Sequence, residues 1–259
     1  MMNTVYFYLL SPLHTGGTTQ EGNLVGIARE SHTNLPYIPS STIRGRLRAM
    51  VNTQDQKKCF QLFGTDLDNA QQLEQGDIWV GDGLLLWIPV PSLSHGVVWI
   101  SSPFLLRRWQ TRQQQQTPIP SEYSCNFNQN SKVYLKDAII KSDELQPFNN
   151  WQSFIPKTAS SVDKVLILPD QHCNTLIQMS LWRQVKIKLN QHKSVDGGFR
   201  YEEAIPPDSL IYFTWGLTNQ ANSTGQQSTQ DFQNLIQNHD IIQIGGQESL
   251  GRGFVQQSQ

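Results

Sequence analysis

The sequence is short of charge and of long apolar runs, and each shortage excludes a class of protein. Charged residues make up 16% of the 259 residues and the net charge is −1, so the chain lacks the basic excess of a free-standing nucleic-acid binder. Any nucleic-acid contact therefore has to come from local patches or from work inside a larger assembly. No apolar stretch is long enough to span a bilayer, and the first residues lack the features of a secretory signal.

Cysteine is also scarce. Cys59, Cys125 and Cys173 are widely spaced and odd in number, so they form neither a zinc pattern nor a disulfide framework. The chain has no Gly-x-Ser-x-Gly nucleophile motif and no His-Glu-x-x-His metal motif. These absences predict a protein of the reducing cytoplasm with no membrane partner and no common hydrolase site.

The most informative stretch is residues 35–48. Two prolines favour an extended approach, and the apolar spacing of Ile43, Leu47 and Val51 predicts a helix over about 42–52. Arginines in its first turns oppose the helix dipole, so a bound phosphate would relieve this repulsion and satisfy unpaired N–H groups. The predicted phosphate contacts are Ser40, Ser41, Arg44, Arg46 and Arg48. A solvated basic helix face is the alternative.

A second stretch, residues 245–253, contains four glycines. It does not match the phosphate loop of nucleotide hydrolases, because Arg252 stands in the place of the lysine and Gly253 in the place of the magnesium-binding hydroxyl. Glycines still let a backbone approach a ligand closely with its N–H groups free to bind phosphate. The predicted contacts are Gly245, Gly246, Gly251 and Arg252, and a tight loop between strands is the alternative.

A β-hairpin is predicted over about 184–206, because alternating apolar and basic residues indicate a strand with one wet face and Asp196-Gly197-Gly198 indicates the turn. Phe199 and Tyr201 are placed to stack on the bases of a single strand. The basic residues predicted to contact RNA are Lys186, Lys188, Lys193 and Arg200. A solvated hairpin is the alternative.

Three side chains are candidates for chemistry. His14 lies before Gly16 and Gly17, and histidine is the side chain whose unperturbed pKa lies near neutrality, which suits a general acid or base. Glu202 and the adjacent Glu203 are placed to hold a divalent ion beside the basic hairpin. For all three residues an ordinary polar surface position is the alternative.

The order of the predicted elements favours an α+β fold. We expect one domain over residues 1–259, built on a ferredoxin-like antiparallel sheet with helices on one face and long insertions, the main one at about 110–131. Residues 14–19 are expected to form a loop and residues 219–230 a mobile loop. A helix is expected at 232–238 and a last strand at 241–244.

Six segments of the chain together carry a family resemblance. They are residues 14–17, 28–48, 62–66, 81–104, 201–212 and 244–253, and they span nearly the whole chain. Together they resemble the RAMP (repeat-associated mysterious protein) subunits of CRISPR effector complexes. The resemblance is closest to the backbone subunit of type III-B (Cmr) complexes.

The resemblance implies a single RAMP domain with an RRM-like core and a thumb, which is the hairpin at about 184–206. It also implies a role in antiviral defence, in which copies of the subunit stack along a guide RNA (crRNA) beside other subunits of the complex. The thumbs wedge into the duplex of the guide and its complementary target RNA. In the family each copy cuts the target with a divalent metal ion, such as Mg²⁺ or Mn²⁺. The cut uses an aspartate five residues before the arginine of an Arg-Glu pair.

This sequence departs from the family pattern at that aspartate. Leu24 stands five residues before Arg29, and no aspartate occurs between residues 14 and 33. Leucine cannot bind a metal ion, so we expect weak or no cleavage of the target. Three alternatives stay open: metal-dependent cleavage through Glu21, guide processing by His14, and a protein-only scaffold. Ala204 also replaces the tyrosine that follows the Glu-Glu pair in the family.

Overall fold

The computed structural model describes residues 2–53, 55–65, 74–113, 117–221 and 223–259, without the side chains of residues 18–21. The α-helices in these ranges are α1 (Ser40–Asn52), α2 (Gln56–Phe63), α3 (Pro103–Gln113), α4 (Asp170–Ser180) and α5 (Gly225–Gln237). The strands are β1 (Asn3–Leu9), β2 (Gly16–Glu21), β3 (Leu24–Ile27), β4 (Tyr37–Ile38), β5 (Ile78–Val80), β6 (Gly83–Ser92), β7 (Gly96–Ser101), β8 (Ser124–Cys125), β9 (Val133–Leu135), β10 (Ala138–Ile140), β11 (Gln146–Pro147), β12 (Val165–Ile167), β13 (Trp182–Leu189), β14 (Val195–Ala204), β15 (Leu210–Leu217), β16 (Ile241–Gln243) and β17 (Phe254–Ser258). Short 3-10 helices lie at Trp151–Phe154 and Glu248–Leu250.

The core has the ferredoxin-like arrangement that the sequence predicts. Strand β15 lies between β1 and β6 and pairs antiparallel with both, while β17 pairs antiparallel on the other side of β1. Helix α1 connects β1 to β6, and α5 connects β15 to β17. Two split β-α-β units therefore interlock, which is the signature of this fold.

Both faces of the central sheet are buried, because successive side chains of a strand point to opposite faces. On β1, Val5 and Phe7 join the core under α1, α2 and α5, so the two core helices share one face as predicted. Tyr6 packs on the opposite face, which α3 and the segment containing Phe148 and Phe154 cover. The central strands therefore read as continuous apolar runs.

A second, four-stranded sheet carries the thumb. Its strand order is β13, β14, β3, β2, with β13 and β14 forming the hairpin. The thumb (residues 182–204) begins and ends two residues earlier than the predicted limits of 184–206. Strand β3 pairs in parallel with β14 at the thumb base, so the ribbon of β2 and β3 supports the hairpin.

Two of the loop predictions, at residues 14–19 and 219–230, are wrong in part. Residues 16–19 belong to β2, which pairs with β3, so the loop after β1 is shorter than expected. Residues 225–230 open α5, whose inner face includes Ser228 and Phe232. The polar residues there form the solvent side of an amphipathic helix, and a run of polar letters therefore imitates a loop.

The last strand and the main insertion also differ from expectation. Residues 241–243 form β16, but β17 follows it and pairs with β1. Within the expected insertion at 110–131, α3 continues to Gln113 and β8 joins the large sheet, while residues 114–116 lie outside the described residues. None of the described helices combines the length and apolar character needed to cross a membrane.

Helix α1 has the predicted apolar face, and an aspartate from outside the helix caps its first turn. Ile43, Leu47 and Val51 are buried in the core, as their spacing indicates. No hydroxyl side chain caps the first turn; instead Oδ1 of Asp82 accepts a hydrogen bond from the Ser40 N–H at 2.7 Å. The carboxylate lies at the positive end of the helix, where it offsets the arginines that follow.

We expect D82A to lower the free energy of unfolding by about 1 kcal/mol, since a helix that loses its cap is destabilised by roughly that amount. Chemical denaturation measures the change. D137A removes an exposed aspartate between β9 and β10 and serves as the matched control. Equal stability of the two variants would contradict a capping role for Asp82.

Candidate nucleic-acid interface

The start of α1 and the glycine loop (residues 245–253) meet across a cavity of about 420 Å³, named here the Arg46 cavity. Its lining residues are Gly16, Ser41, Thr42, Gly45, Arg46, Gln243, Gly245 and Gly246. Two stretches far apart in the sequence therefore face the same space. The structure brings together four predicted contacts, namely Ser41, Arg46, Gly245 and Gly246.

The glycine loop reaches this position through backbone pairing with the segment after β1. The Gly246 N–H donates to the carbonyl of His14 at 2.9 Å, and the Gly253 N–H donates to the carbonyl of Pro12 at 3.0 Å. Gly245 has φ of 80°, and a Cβ there would lie 2.5 Å from the His14 carbonyl oxygen. A larger residue at Gly245 would therefore push the loop away from its support.

Gln243 is a cavity residue that sequence reasoning missed. Its buried side-chain amide donates to the carbonyls of Gly245 at 3.1 Å and Arg252 at 3.2 Å, so it ties the two ends of the glycine loop together. A polar residue inside the apolar run 241–244, directly before two glycines, was the signal that could have identified it.

Arg46 supplies the positive charge of the cavity. Its side chain is half-buried, and its buried Nε has no hydrogen-bond partner among the described residues. An unpartnered buried donor is costly unless a ligand or water satisfies it. The arrangement of a guanidinium, hydroxyls and glycine backbone suits a phosphate group.

Arg44 and Arg48 have a structural task on the other side of α1. Both guanidinium groups donate to the Phe63 carbonyl at the end of α2, Arg48 at 3.4 Å, and that of Arg44 also lies over the Phe63 ring. Burial, and then the charge of Arg48, lower the pKa of Arg44. Cations at the carbonyl end of a helix are favourable, so both residues hold α1 against α2.

Arg252 is buried and does not line the Arg46 cavity. Its side chain is 4% exposed, with the guanidinium 3.1 Å from Glu202 and 4.6 Å from the centre of the Trp182 ring. It also donates to the side-chain oxygens of Gln184, at 3.0 Å, and Gln247. Gly251, in contrast, is exposed in a left-handed conformation at the end of the loop. Arg252 therefore binds other side chains of the protein, and the prediction that it contacts RNA does not fit its buried position.

The thumb exposes both of its faces, whereas the sequence predicted one wet face. Three cross-strand pairs form an apolar face: Val185 with Tyr201, Ile187 with Phe199, and Leu189 with Val195. Their exposed fractions range from 42% to 61%. Exposed apolar side chains on one face of a ribbon indicate a surface that meets another molecule.

The opposite face of the thumb carries the predicted basic residues. Arg200 and Lys186 lie beside Glu202, while Lys188 pairs with Asp196 at 3.2 Å. Lys193 lies in the exposed turn with φ of 59°. The structure therefore places three of these cations on one face of the thumb and Lys193 in its turn, and none of the four lines the Arg46 cavity.

The two glutamates at the thumb base are fully buried, which overturns the surface alternative. Glu202 lies 2.8 Å from Arg200 and 3.1 Å from Arg252, and Glu203 lies 2.6 Å from Arg29 and 3.1 Å from Arg183. Burial raises the pKa of Glu202, but the hydrogen bond from Arg200 and the charges of Arg252 and Lys186 outweigh it. The net pKa lies below the ordinary 4.5. Each carboxylate is an anchor for cations of the protein.

His14 is also buried, with 7% of its surface exposed, so it is no surface residue. Its Nδ1 donates to the carbonyl oxygen of Glu203 at 2.8 Å. The ring therefore links the segment after β1 to the thumb base. This hydrogen bond fixes the tautomer and the orientation of the ring.

The RAMP superfamily model matches residues 6–256. This chain belongs to the RAMP superfamily. It is 29% identical over 276 aligned residues to the CRISPR system Cmr endoribonuclease Cmr4 of Pyrococcus furiosus, covering 97% of this chain and 93% of that protein. The type III-B resemblance read from the sequence is thereby confirmed.

Solved structures agree with this assignment. The crystal structure of oligomeric Cmr4 from Pyrococcus furiosus superposes with a TM-score of 0.75 at 25% identity, covering 99% of this chain and 96% of that one. A chain of the type III-B Cmr-beta structure bound to cognate target RNA superposes with a TM-score of 0.80 at 18% identity, with the same coverage. The second likeness concerns the RAMP fold alone.

The described residues do not fit the divalent metal ion that the family uses. No group of three or more histidine, cysteine, aspartate or glutamate side chains in the described ranges could hold a metal. Both oxygens of Glu30 accept from Arg108, at 2.7 and 2.8 Å, and Glu202 and Glu203 are neutralised by arginines. The side chain of Glu21, at the end of β2, lies outside the described residues.

We expect the thumb base of this RAMP chain to lose stability in acid. The folded pKa of Glu202 is below its ordinary 4.5, so its stabilising contribution is complete above that value and is lost as the pH falls through the folded pKa. Thermal unfolding followed between neutral pH and about pH 3 measures this loss.

E202Q lacks the titrating group, so its melting temperature should fall less than that of the wild type over the same range. E122Q, which removes an exposed carboxylate elsewhere, controls for the loss of charge alone. Parallel pH profiles of E202Q and the wild type would contradict the role given to Glu202.

Proposed function

We propose that this chain is a guide-RNA (crRNA)-binding backbone subunit of a type III-B-like CRISPR effector complex in the cytoplasm. Copies would stack along the spacer beside other subunits, and would organise the duplex of the guide and the target RNA for antiviral defence. RAMP membership and the similarity to Cmr4 over nearly the whole chain support this role. The single observation that carries it is the convergence of α1 and the glycine loop on the Arg46 cavity.

The chemistry of the cavity suits a backbone phosphate. Arg46 offers charge and an unpartnered donor, Ser41 offers a hydroxyl, and Gly245 and Gly246 allow close approach. Such contacts carry no sequence information, because they do not touch base edges. This suits a subunit that accepts any spacer, since pairing between guide and target reads the sequence.

The thumb supplies the second part of the role. Phe199 and Tyr201 lie exposed with their ring centres 5.5 Å apart, and Lys186, Lys188, Lys193 and Arg200 lie on the hairpin that carries them. Aromatic rings stack on unpaired bases and cations attract phosphates. The exposed apolar face also suits contact with a neighbouring copy.

Target cleavage is weak or absent in this proposal. The aspartate of the family is missing, and Glu30, Glu202 and Glu203 are engaged with arginines. The second candidate function is a metal-dependent endoribonuclease that uses Glu21 and Mg²⁺ or Mn²⁺. Its support is that Glu21 is the one carboxylate between residues 14 and 29.

We expect R46Q to weaken binding of single-stranded guide RNA for every spacer sequence alike. The slope of log affinity against log salt should fall by about 0.7, as for the loss of one phosphate contact with a single strand. Fluorescence anisotropy with the purified full chain measures both quantities.

R107Q makes the same charge change at an exposed position on α3 and should leave binding and slope as in the wild type. Equal losses of RNA affinity in R46Q and R107Q would mean that the change in net charge explains the effect. Full affinity in R46Q would contradict the phosphate site.

We expect the assembled complex to leave labelled complementary RNA uncut in Mg²⁺ or Mn²⁺. Gel analysis of the target strand over time is the measurement. Regularly spaced products that disappear in E21A would establish the endoribonuclease instead. Guide ends that change in H14A would establish guide processing, and a purified particle without RNA would establish a protein-only scaffold.

A further inference from the structure

We infer that Arg252 is a positioning residue that pins the thumb to the glycine loop, and so sets the orientation of the thumb relative to the Arg46 cavity before any RNA binds. The inference rests on the proposed function for its consequence in RNA binding, but its structural part stands apart from that function. It concerns a buried arginine that the sequence assigned to RNA contact.

The side chain of Arg252 joins three elements. Its guanidinium lies 3.1 Å from Glu202 on β14, donates to Gln184 on β13 at 3.0 Å, and covers the Trp182 ring at 4.6 Å. Both strands of the thumb are therefore held at their base by one side chain of the glycine loop. Arginine suits this task because its flat guanidinium stacks on a ring and forms several directed hydrogen bonds at once.

The same residue is tied to the wall of the Arg46 cavity. Its carbonyl accepts from the Gln243 side chain at 3.2 Å, and Gln243 lines the cavity beside Gly245. Its guanidinium also donates to Gln247 inside the glycine loop. A continuous set of contacts thus runs from the cavity, through Gln243 and Arg252, to the thumb.

The ion pair with Glu202 adds to these contacts between the glycine loop and the thumb. Both side chains are almost fully buried, and Arg200 and Lys186 also face Glu202 from the thumb. Loss of Glu202 leaves the buried Arg252 charge without an anion, and loss of Arg252 leaves Arg200 and Lys186 to hold Glu202 from the thumb alone, so in both cases the contact between glycine loop and thumb is lost. Backbone pairing of Leu13 with Ile205 also anchors the thumb base, so the chain can fold without Arg252.

Distances measured by pulsed spin-label spectroscopy test the pin directly in the full chain without RNA. The labels go on S194C, in the thumb turn, and Q237C, at the end of α5; both positions are exposed, and Cys59, Cys125 and Cys173 are buried. We expect one narrow distance peak for the parent protein. R252M and E202Q should lose it and give a broad or displaced distribution.

Two further variants make the result specific. D196N removes a carboxylate of an exposed pair at the far end of the same hairpin and should keep the narrow peak. R252K keeps the charge without the flat guanidinium, so it serves as the test variant if R252M does not fold. Its distance distribution should have an intermediate width. Unchanged distributions in E202Q and in either Arg252 variant would overturn the inference.

RNA binding supplies a readout that a general loss of stability would not produce. R252M should bind guide RNA alone within about twofold of the parent, yet bind the guide–target duplex about tenfold more weakly, which is a difference of about 1.4 kcal/mol. Equal losses for both ligands would overturn the positioning role. If neither RNA binds the parent protein, the proposed function fails. The distance measurement still tests whether Arg252 fixes the orientation of the thumb.

Discussion

The pairing of the glycine loop with the segment after β1 is the contact on which the rest of this structure depends. The N–H of Gly246 and the carbonyl of His14 bring the end of the chain against its beginning. Because Gly245 has no side chain, the two backbones come close enough for the loop to face α1. The cation of Arg46 and the backbone of the glycine loop then share one cavity.

The same region shows how a chain of nearly neutral net charge can present a basic site. Glu202, Glu203 and Glu30 each pair with one or more arginines of the protein, so much of the positive charge serves the fold. Arg46 differs because it forms no ion pair with a carboxylate of the described residues, and its buried Nε has no hydrogen-bond partner there. The cation proposed to bind phosphate is therefore distinguished by its lack of a protein partner in the described part of the chain, which a count of charges cannot reveal.

The elements predicted correctly are those whose formation depends on residues close together in the sequence. The helix at α1, the apolar strands of the core and the thumb hairpin follow from spacing and turn residues. The start of α5 was missed because its exposed half is polar. Strand β2 was missed because it opens with two glycines, which are weak strand formers, and gains stability from pairing with β3. Such elements depend on tertiary partners that lie far away in the sequence.

The residues of the candidate RNA site were likewise predicted in part. Sequence alone pointed to Ser41, Arg46 and the two glycines, since helix starts and glycine-rich turns have known affinities for phosphate. It could not separate Arg46 from Arg44, Arg48 and Arg252, because the identity of a residue does not tell which way it points. The comparisons with RAMP proteins then support a common role for the fold as a whole.

Hydrogen–deuterium exchange of the full chain, with and without guide RNA, tests the central claim most directly. The account predicts that RNA protects backbone amides at the start of α1 and in the glycine loop, together, and leaves α3 unchanged. Protection confined to other surfaces, or to just one of these two segments, would contradict a shared guide-RNA site at the Arg46 cavity.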